Sequence, residues 1–198
     1  PTIGFNKRND KRGRKDYLVF FEQAMVDTVS ALYNHPCICY WTIYNEGWGQ
    51  IDSQEMYEKM KKLDSTRIID TVSGWFKGAD SDVESEHVYF KRVKLNASDK
   101  PIILSEFGGY SYKVEGHSFN PNNTYGYKFF KDQGKFEDAL VSLYENEIIP
   151  LVKEGLCGAI YTQLSDVEDE TNGILTYDRK INKVSKERML EIAERLKI

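Results

Sequence analysis

His35-Pro36-Cys37-Ile38-Cys39-Tyr40-Trp41-Thr42-Ile43-Tyr44-Asn45-Glu46-Gly47-Trp48-Gly49 holds a sharp change of character within one short stretch. Pro36 disfavours helical geometry in the residue before it, so a helix arriving from upstream has to stop at His35. The run over 37–44 is apolar and aromatic with little alternation, which predicts a strand covered on both faces. It then breaks directly into Asn45, Glu46 and a Gly-Trp-Gly turn. A helix feeding a buried strand whose end carries polar groups is the repeating unit of a parallel α/β sheet.

Working upstream, Leu18, Phe21, Met25, Val29 and Leu32 recur at three- to four-residue spacing and predict a helix over 16–34 with one buried stripe. The polar first fifteen residues, with six basic side chains between Lys7 and Lys15, read as a loop. The sharper alternative, a nucleic-acid arm, lacks interleaved aromatics or a basic domain behind it. Downstream, the pattern predicts a helix over 53–62 and strands over 67–72, 86–89 and 101–104. A long loop rich in Gly, Asn and Tyr precedes a helix over 136–154. Phe136, Leu140, Leu143, Ile148 and Leu151 should face inward there, with Pro150 kinking the last turn. Gly155 suits a left-handed cap, a fifth strand follows over 158–163, and Ser185 is placed to cap a terminal helix with Met189, Ile192 and Leu196 inside.

Composition narrows the function classes. The chain has 198 residues and a formal charge of -4, from 27 Lys plus Arg against 31 Asp plus Glu, with 40% hydrophobic and 13% aromatic residues. That describes a folded domain; no run reaches the ~18 apolar residues of a membrane span, and nothing marks an overall polyanion binder. Neither a membrane nor a nucleic acid is expected as partner. Cys37, Cys39 and Cys157 are too few and too scattered for a disulfide framework, which points to a reducing, cytoplasmic setting. No metal or other cofactor is called for: the histidines do not fall at zinc-finger spacing, and 165–170, although acidic, does not match a calcium loop and reads as a loop over the pocket. Pro1 in place of an initiator Met suggests a piece of something longer.

Five strands fit either a doubly wound sheet or part of an eight-stranded barrel, and the Gly-rich phosphate turn of the former is missing. Every strand ends in groups able to act on a polar ligand: Asn45 and Glu46; Ser73 and Trp75; His87 and Tyr89; Glu106; Gln163 and Asp166. In a barrel that end is the reactive face, and Glu46 and Glu106 are expected to meet across it. Two carboxyls, one neutral and one charged, are the minimal equipment for cleaving a glycosidic bond. Trp48 and Trp75 beside these ends suit stacking on a sugar, whereas Trp41, inside a strand, reads as core. A Ser or Cys triad is not supported, because no Gly-x-Ser-x-Gly occurs.

These residues resemble glycoside hydrolase family 2, which includes β-galactosidases, β-glucuronidases and β-mannosidases. The resemblance rests on Tyr44-Asn45-Glu46-Gly47-Trp48-Gly49, on Pro101-Ile102-Ile103-Leu104-Ser105-Glu106-Phe107-Gly108-Gly109, and on Tyr161 to Glu168 with Thr171-Asn172-Gly173. It implies an α/β fold, a partial (β/α)8 TIM barrel comprising strands four to eight, with residues 1–198 as the C-terminal portion of the catalytic domain. It further implies a retaining, exo-acting β-glycosidase without cofactor, acting on a carbohydrate. Glu46 is similar to the family's acid/base, Asn45 to the partner of the sugar 2-hydroxyl, Glu106 to the nucleophile, and Tyr89 to the tyrosine that hydrogen-bonds it. Trp48, Trp75, His87 and Gln163 complete the expected substrate-binding set. Many members carry a Trp near the end of strand eight, where this chain has Tyr161-Thr162-Gln163. The alternative is a non-catalytic module that binds carbohydrate or a partner. A barrel lacking strands would expose edges and an apolar face, so weak or absent activity and self-association are expected of this piece.

Overall fold

The computed structural model describes residues 15–197. The first fourteen residues, and with them most of the basic segment, lie outside the described residues. The chain divides into two compact units, one formed by residues 1–87 and 98–103 and the other by residues 88–97 and 104–198. Among the described residues, no helix is long and apolar enough to cross a membrane.

The first unit opens with α1 (Lys15–Leu32) and continues through β1 (Tyr40–Asn45), α2 (Ser53–Leu63) and β2 (Ile68–Ser73). β1 and β2 are parallel neighbours, with Asn45 opposite Ser73 at their carboxyl ends. Met25 and Val29 from α1, Trp41 and Tyr44 from β1, Met56 and Met60 from α2, and Ile69 and Val72 from β2 close the core between helices and sheet. Phe21 stacks on Tyr44 with centroids 5.0 Å apart, so the stripe expected on the first helix packs against the first strand. Trp41 is buried, as its place inside a strand predicts.

The strand over 37–44 is shorter and less covered than predicted. It begins at Tyr40, and Cys37, Cys39, Thr42 and Asn45 are exposed, whereas β2 is buried at five of its six positions. Residues 35–38 are occupied by turn hydrogen bonds instead, His35 N–H to Leu32 O and Ile38 N–H to His35 O. They are clamped by Arg67, which donates to the carbonyls of Ile38 at 2.7 Å and Tyr33 at 2.5 Å.

β3 (Glu84–Val88) and β4 (Ile102–Gly108) each begin in the first unit, where Glu84 N–H bonds to Pro101 O, and end in the second. The second unit adds β5 (Tyr110–Tyr112), β6 (Lys128–Phe130), α3 (Gln133–Leu143), α4 (Ile149–Val152), β7 (Leu156–Thr162) and α5 (Lys186–Arg195), and β7 lies beside β4. Phe107, Phe136, Leu140, Ile148, Leu156 and Ile192 are buried there.

Three expectations are revised. The single helix over 136–154 is interrupted: α3 gives way to a π-helical turn at Tyr144–Ile148 before α4, with Pro150 in the first turn of α4. A proline there lacks the N–H a continuous α-helix needs and crowds the carbonyl four residues back, so a widened turn absorbs the misfit in place of a kink. Ser185 stands at the N-cap of α5 but makes no side-chain cap; its backbone N–H bonds to Glu137 Oε1 at 2.7 Å. The loop after β4 is partly ordered, because β5 and β6 pair in parallel with Tyr110 opposite Lys128.

Candidate active site

The first unit builds its share of the site where β1 and β2 end. Glu46 N–H bonds to Ser73 O at 3.0 Å, and the chain then enters a left-handed conformation at Glu46 itself, φ 52°. A non-glycine residue in that region costs of order 1–3 kcal/mol and persists only where its surroundings over-determine it. Here the turn swings the Glu46 side chain onto β3, so that Oε1 lies 2.7 Å from His87 Nδ1. The imidazole is fully buried and the carboxyl 15% exposed. Gly74, φ 73°, is what admits the ring: a Cβ there would stand 2.5 Å from His87 Cγ and Nδ1. Trp75 meets the same imidazole edge-on, centroids 6.3 Å apart. Ser73 Oγ donates to Asn45 Oδ1 at 2.6 Å, which fixes the end of the amide that faces β2. Trp48 is 46% exposed in its turn.

Behind His87 lies a buried acid. Asp70, on β2, accepts the Tyr40 hydroxyl at 2.7 Å and also bonds to Ser85. Burial pushes its carboxyl above the usual range, against the opposing pull of those two hydroxyls and of the Lys77 charge.

The second unit contributes Glu106, which belongs to β4 itself and does not simply follow it: the strand runs on through buried Phe107 to Gly108. Tyr89, just past β3, donates its hydroxyl to Glu106 Oε2 and stands 3.0 Å from Thr162 Oγ1 at the end of β7. Burial, reinforced by the bond to Glu106, pushes the Tyr89 phenol far above its ordinary value, so it remains a proton donor throughout the physiological range. Gln163 Nε2 donates to Glu170 Oε2 at 2.9 Å and to Asn172 Oδ1 at 2.8 Å.

Within the acidic run over 165–170, one carboxyl is withdrawn from water. Asp166 is buried, with Lys183 Nζ 2.6 Å from its Oδ1 and the Gly173 N–H donating to the same atom at 2.9 Å. Burial pushes the Asp166 carboxyl up and the Lys183 ammonium down, each restrained by the other's charge. This pair pins the segment after β7, and with it the loop that carries Glu170 and Asn172.

Of the residues singled out in the sequence, Glu46 and Trp75 therefore meet at His87, Asn45 is tied to Ser73, and Tyr89 is bonded to Glu106. Gln163 is held by Glu170 and Asn172. Ser73 ties down Asn45, as the parallel register of two strands with adjacent polar ends allows. Thr162 was missed, since nothing in a lone threonine at a strand end distinguishes it before its partner is known. Tyr127 was missed too: it stacks on Tyr89 with centroids 3.9 Å apart and planes within 11°.

Comparison with known proteins follows the same lines. The family model for glycosyl hydrolases family 2, TIM barrel domain, matches residues 5–194. A β-galactosidase from Priestia megaterium is 34% identical over 99 residues, covering 44% of this chain and 9% of that protein. Among solved structures, an uncultured Clostridium sp. β-glucuronidase superposes with a TM-score of 0.55 at 18% identity, covering 98% of this chain and 39% of its own. Bacteroides uniformis β-glucuronidase 2, covalently bound to cyclophellitol-6-carboxylate aziridine, gives 0.57 at 16% identity, with 86% and 25% covered. The chain thus spans roughly a tenth of the curated relative and 25–39% of these two structures. With strands whose ends carry Asn45-Glu46 and Glu106, and a match running almost from end to end, the chain belongs to glycosyl hydrolases family 2, in its TIM barrel domain.

Proposed function

We propose that this chain supplies strands four to eight of the catalytic barrel of a retaining, exo-acting β-glycosidase, with little or no turnover from these 198 residues alone. The observation that carries the reading is the contrast between two glutamates at strand ends. Glu106 receives a hydroxyl from a tyrosine that stays protonated, the setting of a carboxylate aimed as a nucleophile. Glu46 sits against an imidazole nitrogen, a partner that can donate or accept and so suits a group that both gives and takes a proton.

In the first step a Glu106 oxygen attacks the anomeric carbon as the bond to the leaving oxygen breaks, and Glu46 gives that oxygen its proton. In the second, water attacks the glycosyl ester, Glu46 takes a proton from it, and Glu106 departs as carboxylate. Two inversions restore the starting configuration. Asn45, tethered to Ser73, is assigned to the sugar 2-hydroxyl, and Trp48, Trp75 and Gln163 to the sugar ring.

The test uses the complete polypeptide with an activated aryl β-glycoside panel and azide. Glu106→Gly should turn over only with azide and yield the α-glycosyl azide, one inversion having been lost. Glu46→Gly should yield the β-azide. No azide product from either variant, with the fold intact by circular dichroism, would overturn the assignment and favour a non-catalytic carbohydrate-binding module.

A further inference from the structure

Gln163, the first residue after β7, has an amide whose donors are already committed. Its Nε2 donates to Glu170 Oε2 at 2.9 Å and to Asn172 Oδ1 at 2.8 Å, and Asn172 Nδ2 reaches the same Glu170 oxygen at 3.4 Å. A carboxylate only accepts, so both amides have to turn their nitrogens toward it. The backbone of Gln163 is fixed as well, its N–H bonding to Asn172 O at 3.2 Å and its carbonyl accepting the Ile174 N–H at 3.0 Å. Asn172 is fully buried, so a ligand meets the half-buried Gln163 and Glu170. The atoms these two have left to offer, Gln163 Oε1 and Glu170 Oε1, are both acceptors.

The charge of Glu170 is not offset within the cluster. Lys183 reaches the neighbouring Thr171 carbonyl at 3.0 Å, but it is fully buried and its ammonium is paired with Asp166 at 2.6 Å. The position relative to the reaction is set by the chain. Thr162, the residue before Gln163, stands 3.0 Å from the Tyr89 hydroxyl that donates to Glu106. A nucleophile attacks from the face opposite the leaving group, so groups that flank it border the ring whose anomeric carbon is attacked.

We propose that Glu170, with Gln163 held against it, sets the class of sugar cleaved: a neutral hexose is accepted and a uronic acid is rejected. The inference rests on the hydrolase reading above and deepens it. A neutral sugar brings hydroxyl donors to acceptors that want them. A uronate adds a carboxylate with no proton to give and a charge of the same sign, the kind of repulsive element that separates two otherwise similar substrates.

The test compares kcat/KM of the complete polypeptide on aryl β-glycosides paired so that they share a leaving group and differ only at the last carbon of the sugar: glucoside against glucuronide, galactoside against galacturonide, and mannoside against mannuronide. The parent should favour the neutral member of whichever pair is cleaved by about a hundredfold or more, and added salt should narrow that ratio by screening the two like charges. Glu170→Gln keeps the length of the side chain and removes its charge. Uronide hydrolysis should rise and the ratio fall by about tenfold or more, whereas Glu170→Asp, which retains the charge, should preserve the ratio. A purely structural role for Glu170 would slow both members alike and leave the ratio where it was. A parent ratio near or below one, or uronide hydrolysis that Glu170→Gln fails to raise relative to the neutral partner, would overturn the assignment and leave the hydrolase reading standing. No hydrolysis of any glycoside by the parent would overturn the two together.

Discussion

Tyr89 shows how much a single side chain fixes. Its ring stacks on Tyr127, and its hydroxyl is shared between Glu106 and Thr162. Because burial first and the bond to Glu106 second hold the phenol protonated, the oxygen acts only as a donor toward that carboxylate. Tyr89→Phe keeps the stack and removes the donor. Loss of one preorganised donor at a charge-developing centre costs on the order of a hundredfold in kcat. Steady-state kinetics of the complete polypeptide should show that fall with KM little changed, and an unaltered kcat would remove Tyr89 from the reaction. Glu46 and Glu106 stood out in the sequence as candidates because each lies at or near the end of a strand with a glycine one or two residues on, a local pattern. Their contacts with His87 and Tyr89 link residues that the chain separates by 41 and 17 positions, and no short-range pattern encodes those.

At the scale of elements, the turn from α2 into β2 is governed by Asp64, which ends α2 as its C-cap. The carboxylate is fully buried and takes the Trp41 indole N–H at 2.9 Å, the Thr66 hydroxyl at 2.6 Å and the Arg67 guanidinium at 2.6 Å. Burial alone would raise Asp64, but the bonds from Thr66, Trp41 and Arg67 together outweigh it and hold the group below the usual carboxylate range. A folded-state value below the unfolded one means the stabilisation is present above the unfolded value of ~3.9 and is lost as pH falls through the folded one. Asp64→Asn should therefore lower stability by roughly 3–5 kcal/mol at pH 7. In urea titrations the gap to the parent should hold from pH 8 to about 5 and narrow below about pH 4; a gap independent of pH would mean packing, not charge, is what Asp64 supplies. The helices and strands themselves followed from periodicity to within a few residues. The exceptions had causes outside periodicity: Pro150 forcing a π turn upstream of itself, and β5 finding a parallel partner sixteen residues beyond its end.

For the whole molecule, apolar surface decides behaviour in solution. On α1 the inward stripe leaves Val19 and Phe20 on the opposite side, exposed at 68% and 76%. In the other unit Ile160 on β7 and Leu164 just after it are exposed at 56% and 67%. The helical stripe that reads as core in the sequence is core, but periodicity says where apolar residues face the interior and is silent on those that do not. The adjacent exposed pair Val19–Phe20 is apolar surface that association would remove from water. Self-association should therefore appear in sedimentation velocity as a weight-average coefficient that rises with protein concentration and falls back with Phe20→Glu, which places a charge at the centre of the α1 patch. A coefficient that stays at the monomer value at every concentration would show that water tolerates this surface. An association unaffected by Phe20→Glu but abolished by Ile160→Lys would move the contact from α1 to β7.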